Sequence, residues 1–361
     1  MTVATAEPTV APAAVLDGVR FGLAPRLSGE LASYFSSKCG QIDAGSADVH
    51  DGLEFLASRG LVGGVDLPTQ ATVIREVSTN CMSSAFSLWA QVMVANYLQR
   101  AESPLLRHQA ELVMTAQVAG STAMAGAFQD ADGFRELETT FRFEDDDVIL
   151  DGAIRWASNL RAEGFVMVLG ARNAEGDRII VAVPSDVDGL SVREHLDLLA
   201  LGGTASSSVN LDGVRVSREW ILTENFAEFV AGIRPTFLLL QTAFCLGLID
   251  ASLSASAARL ESAFEGHRDE YVQLSGQRDD LDGRFSQLLT TPAPRPRDLV
   301  EIRLDSAALA QAVVSIETRI VGGAGYVASS PTARRLREAA FLPIQSPTEG
   351  HLRWLLATSV S

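Results

Sequence analysis

Arg334-Arg335-Leu336-Arg337-Glu338-Ala339-Ala340-Phe341-Leu342-Pro343-Ile344-Gln345-Ser346-Pro347-Thr348-Glu349-Gly350-His351-Leu352-Arg353 is the stretch whose reading decides the fold. It follows a Gly322-Gly323-Ala324-Gly325-Tyr326 turn. The order is an Arg-rich helix, a polar loop and a last short helix. A further apolar-faced helix, predicted over residues 298–321, leads into the turn. By itself a glycine-rich turn says little; its place in this order is what carries information.

Working back, the helical pattern extends to about Thr223. Thr291-Pro292-Ala293-Pro294-Arg295-Pro296 is a hard break. Before it, a charged helix is predicted over residues 267–289. Residues 226–264 read as one long helix or two, with Pro235 near a boundary. The most apolar run, 237–253, is interrupted by Gln241, Thr242 and Asp250. A membrane span asks for ~18 to 20 apolar residues, so this run reads as a buried core helix.

Further upstream the period changes. Val148-Ile149-Leu150, Phe165 to Leu169, Arg178 to Val183 and Ser206 to Val216 are short β-rich runs. Asp151-Gly152 and Asp212-Gly213 have the composition of hairpin turns. Before residue 120 the spacing is helical again, clearest over 49–58 and 83–98. Asn80, Ser83 or Ser84 is placed to cap the second of these, and Pro104 suits a helix start. The sequence thus predicts an α+β fold. An N-terminal helical domain (18–119) follows a disordered tail (1–17). A middle antiparallel β-barrel or sandwich domain (120–222) and a C-terminal four-helix-type bundle (223–361) complete it.

Composition narrows the functional classes. A chain of 361 residues can bury a full core. Its net charge of −16, with Lys38 the one lysine, repels nucleic acid. Cys39, Cys81 and Cys245 are too far apart for a disulfide framework or a zinc site. The histidines at 50, 108, 195, 267 and 351 lack metal-type spacing, and Glu144-Asp145-Asp146-Asp147 reads as a solvated turn. No metal and no membrane contact are expected. The first fifteen residues carry no basic side chain and fail the signal-peptide pattern, so a cytoplasmic location is expected.

This order of elements resembles the acyl-CoA dehydrogenases, and three local matches carry the resemblance. Val148 to Asn159 is similar to the family's strand-turn-strand leading to Trp-x-Thr/Ser-Asn. Residues 202–216 resemble the strand that closes its β domain, with Gly202 where the family usually has Arg. The third match is the C-terminal stretch. The similarity covers roughly residues 111–353.

The resemblance implies FAD as cofactor, with Trp156 against the flavin ring and the Ser158 hydroxyl near its N5. It implies that Gly322 and Gly323 meet the adenosine half of FAD from a neighbouring subunit. Arg319 supplies charge for the pyrophosphate, and Thr348 is a further cofactor contact. A homodimer or homotetramer follows, since such sites span two chains. Phe86, Trp89 and Met93 form an apolar stripe that suits either an acyl pocket or the core.

The chain also departs from the family. The catalytic base there is a Glu, and ungapped matching puts Ser346 in its place. Glu349 lies three residues on. It is the candidate base, or else it caps the last helix with Ser346 or Thr348. Some relatives carry the base before an Arg on the long helix, but here Ile233 precedes Arg234. Arg234 is a candidate for the active-site side of that helix or a simple salt-bridge cation. The family's flavin loop corresponds roughly to residues 126–133, without its hydroxyls and Pro.

Three functions follow as expectations. The first is α,β-dehydrogenation of an acyl thioester, with electrons passed to an acceptor protein. The second is a flavin monooxygenase of the same fold, using oxygen. The third is a non-catalytic partner subunit of a mixed oligomer.

Overall fold

The computed structural model describes residues 25–193, 196–260 and 265–358. The tail expected at 1–17 and His195 lie outside them. Five helices come first: α1 (Pro25–Asp43), α2 (His50–Ala57), α3 (Leu67–Asn80), α4 (Met82–Leu98) and α5 (Pro104–Met114). Pro104 opens α5, where its missing N–H is no loss. None of the expected polar residues caps α4. The chain passes from α3 to α4 through the single extended residue Cys81, and Asn80 instead donates to the Glu76 carbonyl. The turn is too tight for a capping side chain.

The sheet region contains β1 (Ala119–Ala123), a short helix α6 (Ala125–Ala131), β2 (Thr140–Glu144), β3 (Asp147–Ala157), β4 (Phe165–Arg172), β5 (Arg178–Pro184), β6 (Leu190–Val192), β7 (Ser207–Ser217) and β8 (Ile221–Thr223). The strand order is β6-β7-β3-β2-β4-β5-β8, with β1 added against β4. Most pairs are antiparallel, but β1 runs parallel to β4, so the sheet is mixed. Successive residues of β4 and β5 face opposite ways. Met167, Leu169, Val181 and Val183 enter a core within the sheet; Val166, Val168, Ile180 and Ala182 enter the helical core.

The two Asp-Gly pairs are not hairpin turns. Gly152 lies inside β3, at a register shift against β7, and Gly213 lies inside β7. Gly152 (φ 128°) and Gly213 (φ 62°) adopt the positive φ that glycine allows, and the Asp151 carboxylate accepts from Gly213 N at 2.7 Å. The turn joining β2 to β3 is Asp145-Asp146 instead.

The last region contains α7 (Phe226–Leu260), α8 (Arg268–Thr290), α9 (Pro296–Val321), α10 (Pro331–Phe341) and α11 (Glu349–Thr358). Pro235 lies inside α7, which is one helix. That helix is long and apolar enough to cross a membrane by composition, but 94% of its apolar window is buried in the fold. It packs on α3 so closely that a Cβ at Gly247 would lie 2.4 Å from the Arg75 carbonyl. A buried network ties the crossing: Arg75 donates to Asp250 and Asp282, and Arg278 donates to Asp250 at 2.9 Å. One hydrophobic core therefore joins the helices that precede the sheet in the chain to those that follow it, from Leu31 to Leu352.

Candidate active site

Where the sheet meets α4, α7 and α10, a cavity of about 480 Å³ opens. That lies within the ~300–1,000 Å³ of small-molecule sites. Its walls differ in character. Phe86 and Trp89 of α4 stack at 5.4 Å; Trp89 meets Phe237 of α7 edge-on at 4.9 Å; Phe86 meets Phe341 of α10 at 5.1 Å. These four rings form an apolar end. Met93, the third member of the predicted stripe, is fully buried and does not line the cavity.

The opposite wall comes from the end of β3. Trp156 lines the cavity and is 56% exposed, a large planar apolar surface without a protein partner over much of its area. Two residues on, Ser158 is buried at the same wall and accepts a hydrogen bond from Ser206 Oγ at 2.8 Å. Its own proton is left for a ligand. The strand end is held by Asn159, in the left-handed region (φ 59°), whose amide donates to the carbonyls of Ser87 and Gly120. On β1 Thr122 adds a hydroxyl to the lining, 3.3 Å from Tyr97 Oη.

The segment between α10 and α11 closes the site. Ser346 and Thr348 both line the cavity. Thr348 also starts α11, accepting from His351 N at 3.3 Å. The Ser346 hydroxyl is buried without a hydrogen-bond partner. Among the described lining residues the carboxylates are Glu136 and Glu138, both at the exposed rim. Arg172 pairs with the first at 3.2 Å, and Arg155 grips the second with two hydrogen bonds, which hold its pKa below the usual carboxylate range.

No family profile matches the chain. A probable acyl-CoA dehydrogenase of Bacillus subtilis is 24% identical over 328 residues, covering 85% of each chain. The structure of a glutaryl-coenzyme A dehydrogenase in complex with glutaryl-CoA superposes with a TM-score of 0.83 at 18% identity, over 94% of this chain and 96% of that one. A glutaryl-CoA dehydrogenase from Mycobacterium smegmatis, in complex with FADH2, superposes with a TM-score of 0.79 at 14% identity, over 93% and 95%.

The chain has the acyl-CoA dehydrogenase fold.

Within this acyl-CoA dehydrogenase fold, Trp156, Ser158, Ser346 and Thr348 converge on one cavity, and the other sequence candidates lie elsewhere. Glu349 does not line it: as the first residue of α11 it pairs with Arg353 at 2.7 Å. Arg234 is bound through two nitrogens to Asp132, at 2.6 and 3.1 Å, with its guanidinium 5.1 Å from the Phe128 ring. Arg319, on the outer face of α9, pairs with Glu270. Gly322 and Gly323 form an exposed turn beyond α9, away from the cavity.

The lining residues Thr122, Phe237, Phe341 and Gln345 escaped the sequence reading, as did Gln241 and Arg303, which lie behind Gln345 and outside the lining. Arg303 is buried (1% exposed) and donates to Gln241 Oε1 at 2.9 Å, to the Leu342 carbonyl at 2.9 Å and to Gln345 Oε1 at 3.1 Å. Gln241 in turn donates to the Ser346 carbonyl at 2.9 Å. The available signals were an Arg on the apolar face of α9, beside Leu299 and Ile302, and a Gln breaking the apolar run of α7.

Proposed function

We propose that the chain is an FAD-dependent oxidoreductase that receives the acyl end of a thioester beside the flavin. One observation carries the reading: the exposed Trp156 face and the free Ser158 proton share a cavity with the four-ring apolar end. The residues present fit a flavin. Trp156 offers an aromatic face to its ring, Ser158 a donor to its heteroatoms and Thr122 a second hydroxyl. When bound, FAD accepts a hydride equivalent and passes electrons to an acceptor protein.

The protein's own contribution is binding, orientation and exclusion of water. The rings of Phe86, Trp89, Phe237 and Phe341 desolvate an acyl chain. The Ser346 position borders the reacting carbons in this arrangement, and its hydroxyl cannot act as an ionised base without a group to take its proton. The lining carboxylates Glu136 and Glu138 lie at the exposed rim, so on the dehydrogenation reading the α-proton leaves to water at the cavity mouth as the hydride equivalent goes to the flavin.

That same observation favours a second reading, oxygen-dependent oxidation on the same fold. A monooxygenase needs no α-proton base, and the described lining holds no unpaired carboxylate. One experiment separates the readings. The purified protein is titrated with FAD, then mixed anaerobically with an acyl-CoA while its visible flavin bands are followed. Bleaching supports dehydrogenation. Bound flavin that bleaches only with a separate reductase, and then consumes oxygen, supports the monooxygenase. Failure of the protein and its Trp156→Ala variant alike to hold flavin would reject both readings and leave the non-catalytic subunit.

A further inference from the structure

Ser158 is the end of a row of hydroxyls. Ser206 Oγ lies 2.8 Å from Ser158 Oγ, Thr204 Oγ1 lies 2.7 Å from Ser206 Oγ, and the Leu201 carbonyl lies 2.7 Å from Thr204 Oγ1. Ser158 and Ser206 line the cavity, whereas Thr204 is fully buried and does not. A costly turn sets the row. Leu201 (φ 62°) and Ala205 (φ 46°) both adopt the left-handed region without being glycine, a conformation that persists only where its surroundings hold it. The chain leaving β3 does so: Asn159 N donates to the Thr204 carbonyl at 2.9 Å, and Leu160 N to that of Ala205 at 3.1 Å. The segment that carries Ser158 thus also anchors the two hydroxyls beyond it.

The protons of the row decide what it offers. A hydroxyl has one proton and two lone pairs, and a carbonyl only accepts. Two senses are open. In the first, Thr204 donates to Ser206, Ser206 to Ser158, and Ser158 outward to a ligand that accepts. The Leu201 carbonyl then keeps only the bond from Thr204 N at 3.0 Å. In the second, a ligand donates to Ser158, Ser158 to Ser206, Ser206 to Thr204 and Thr204 to the Leu201 carbonyl, so every contact of the row is a hydrogen bond. The second sense makes one hydrogen bond more than the first. No ionisable side chain joins the row among the described residues, so reversal takes only rotation of its O–H bonds.

We propose that Thr204 and Ser206 are positioning residues that let Ser158 follow the redox state of the flavin, and that the row holds reduced flavin more tightly than oxidised flavin. In the oxidised ring N5 carries a lone pair and accepts; two-electron reduction places a hydrogen there, and N5 donates. The row meets the first with its outward sense and the second with its inward sense. The additional hydrogen bond falls to the reduced form, and one net hydrogen bond changes an equilibrium by about two- to tenfold. This assignment rests on the flavin reading above and holds for either of its two reactions.

The test uses the full-length protein loaded with FAD and titrated anaerobically with dithionite against a reference dye, which gives the midpoint potential of the bound flavin. Thr204→Val is the decisive variant, because Thr204 does not line the cavity and reaches the flavin through Ser206. It is expected to retain oxidised FAD and to lower the potential by about 10 to 30 mV, the equivalent of a two- to tenfold loss of preference. A merely structural role would weaken both redox states alike and leave the potential where it was. Ser206→Ala should lower it similarly, and it carries the comparison should Thr204→Val fail to fold. An unchanged or raised potential overturns the relay and leaves the flavin reading standing. A wild-type protein that holds flavin in neither redox state rejects the flavin reading, and the relay with it.

Discussion

The resemblance puts Ser346 where the family's general base stands, and no described lining residue supplies an unpaired carboxylate. A positioned base contributes about 10²- to 10⁴-fold in proton abstraction. Under the dehydrogenation reading, Ser346→Glu is expected to speed anaerobic flavin reduction by an acyl-CoA about 10²-fold or more. Stopped-flow bleaching measures it, and an unchanged rate would show that proton removal is not limiting. At this scale the sequence was partly legible. Trp156, Ser158, Ser346 and Thr348 could be placed because short motifs surround them. Arg303 could not, since its partners Gln241 and Gln345 lie 62 and 42 residues away, and only the packed bundle brings them together.

Among the elements, the crossing of α3 and α7 is the most constrained. Burial opposes the charge on Arg75, but Asp250 and Asp282 outweigh it and raise its pKa. Removing Asp250 takes one carboxylate from each of two buried arginines, leaving Arg75 to Asp282 and Arg278 to the exposed Asp279, so Asp250→Ala is expected to cost about 3 kcal/mol, read from chemical denaturation. A loss below about 1 kcal/mol would mean that the network is solvated. A second tie joins the end of α6 to α7 and α11. Asp132 holds Arg234, and its Oδ2 is 2.9 Å from Nε2 of His351, which stacks on Phe134. Burial would raise the Asp132 pKa, but the adjoining His351 ring and the bonds from Arg234 prevail and lower it. Its stabilising effect is therefore complete above the unfolded value of ~3.9 and is lost as pH falls through the folded one. Asp132→Asn should lower the Tm at neutral pH and flatten its decline below pH ~4; parallel Tm profiles for the two proteins would contradict this. Helix and strand types were readable from apolar spacing, whereas the Asp-Gly pairs misled. A hairpin turn and a bulge both require positive φ, and composition does not tell them apart.

Over the whole molecule, the expected sequence of helical, β and helical regions is present, but the first and last share their core. Periodicity shows which face of a helix is apolar and not which distant helix covers it. That shared core has a consequence for biosynthesis. Arg75 meets its anions 175 and 207 residues downstream, so α3 and α4 leave the ribosome long before α7 exists to cover them. A chain ending after β8, at Thr223, should be insoluble or bind a hydrophobic dye strongly; a monodisperse, cooperatively melting fragment would contradict this. Until α7 emerges, the nascent chain carries a finished sheet flanked by exposed apolar helices. Its yield in a cell should therefore depend on trigger-type holdases and on the pace of translation across residues 224–260.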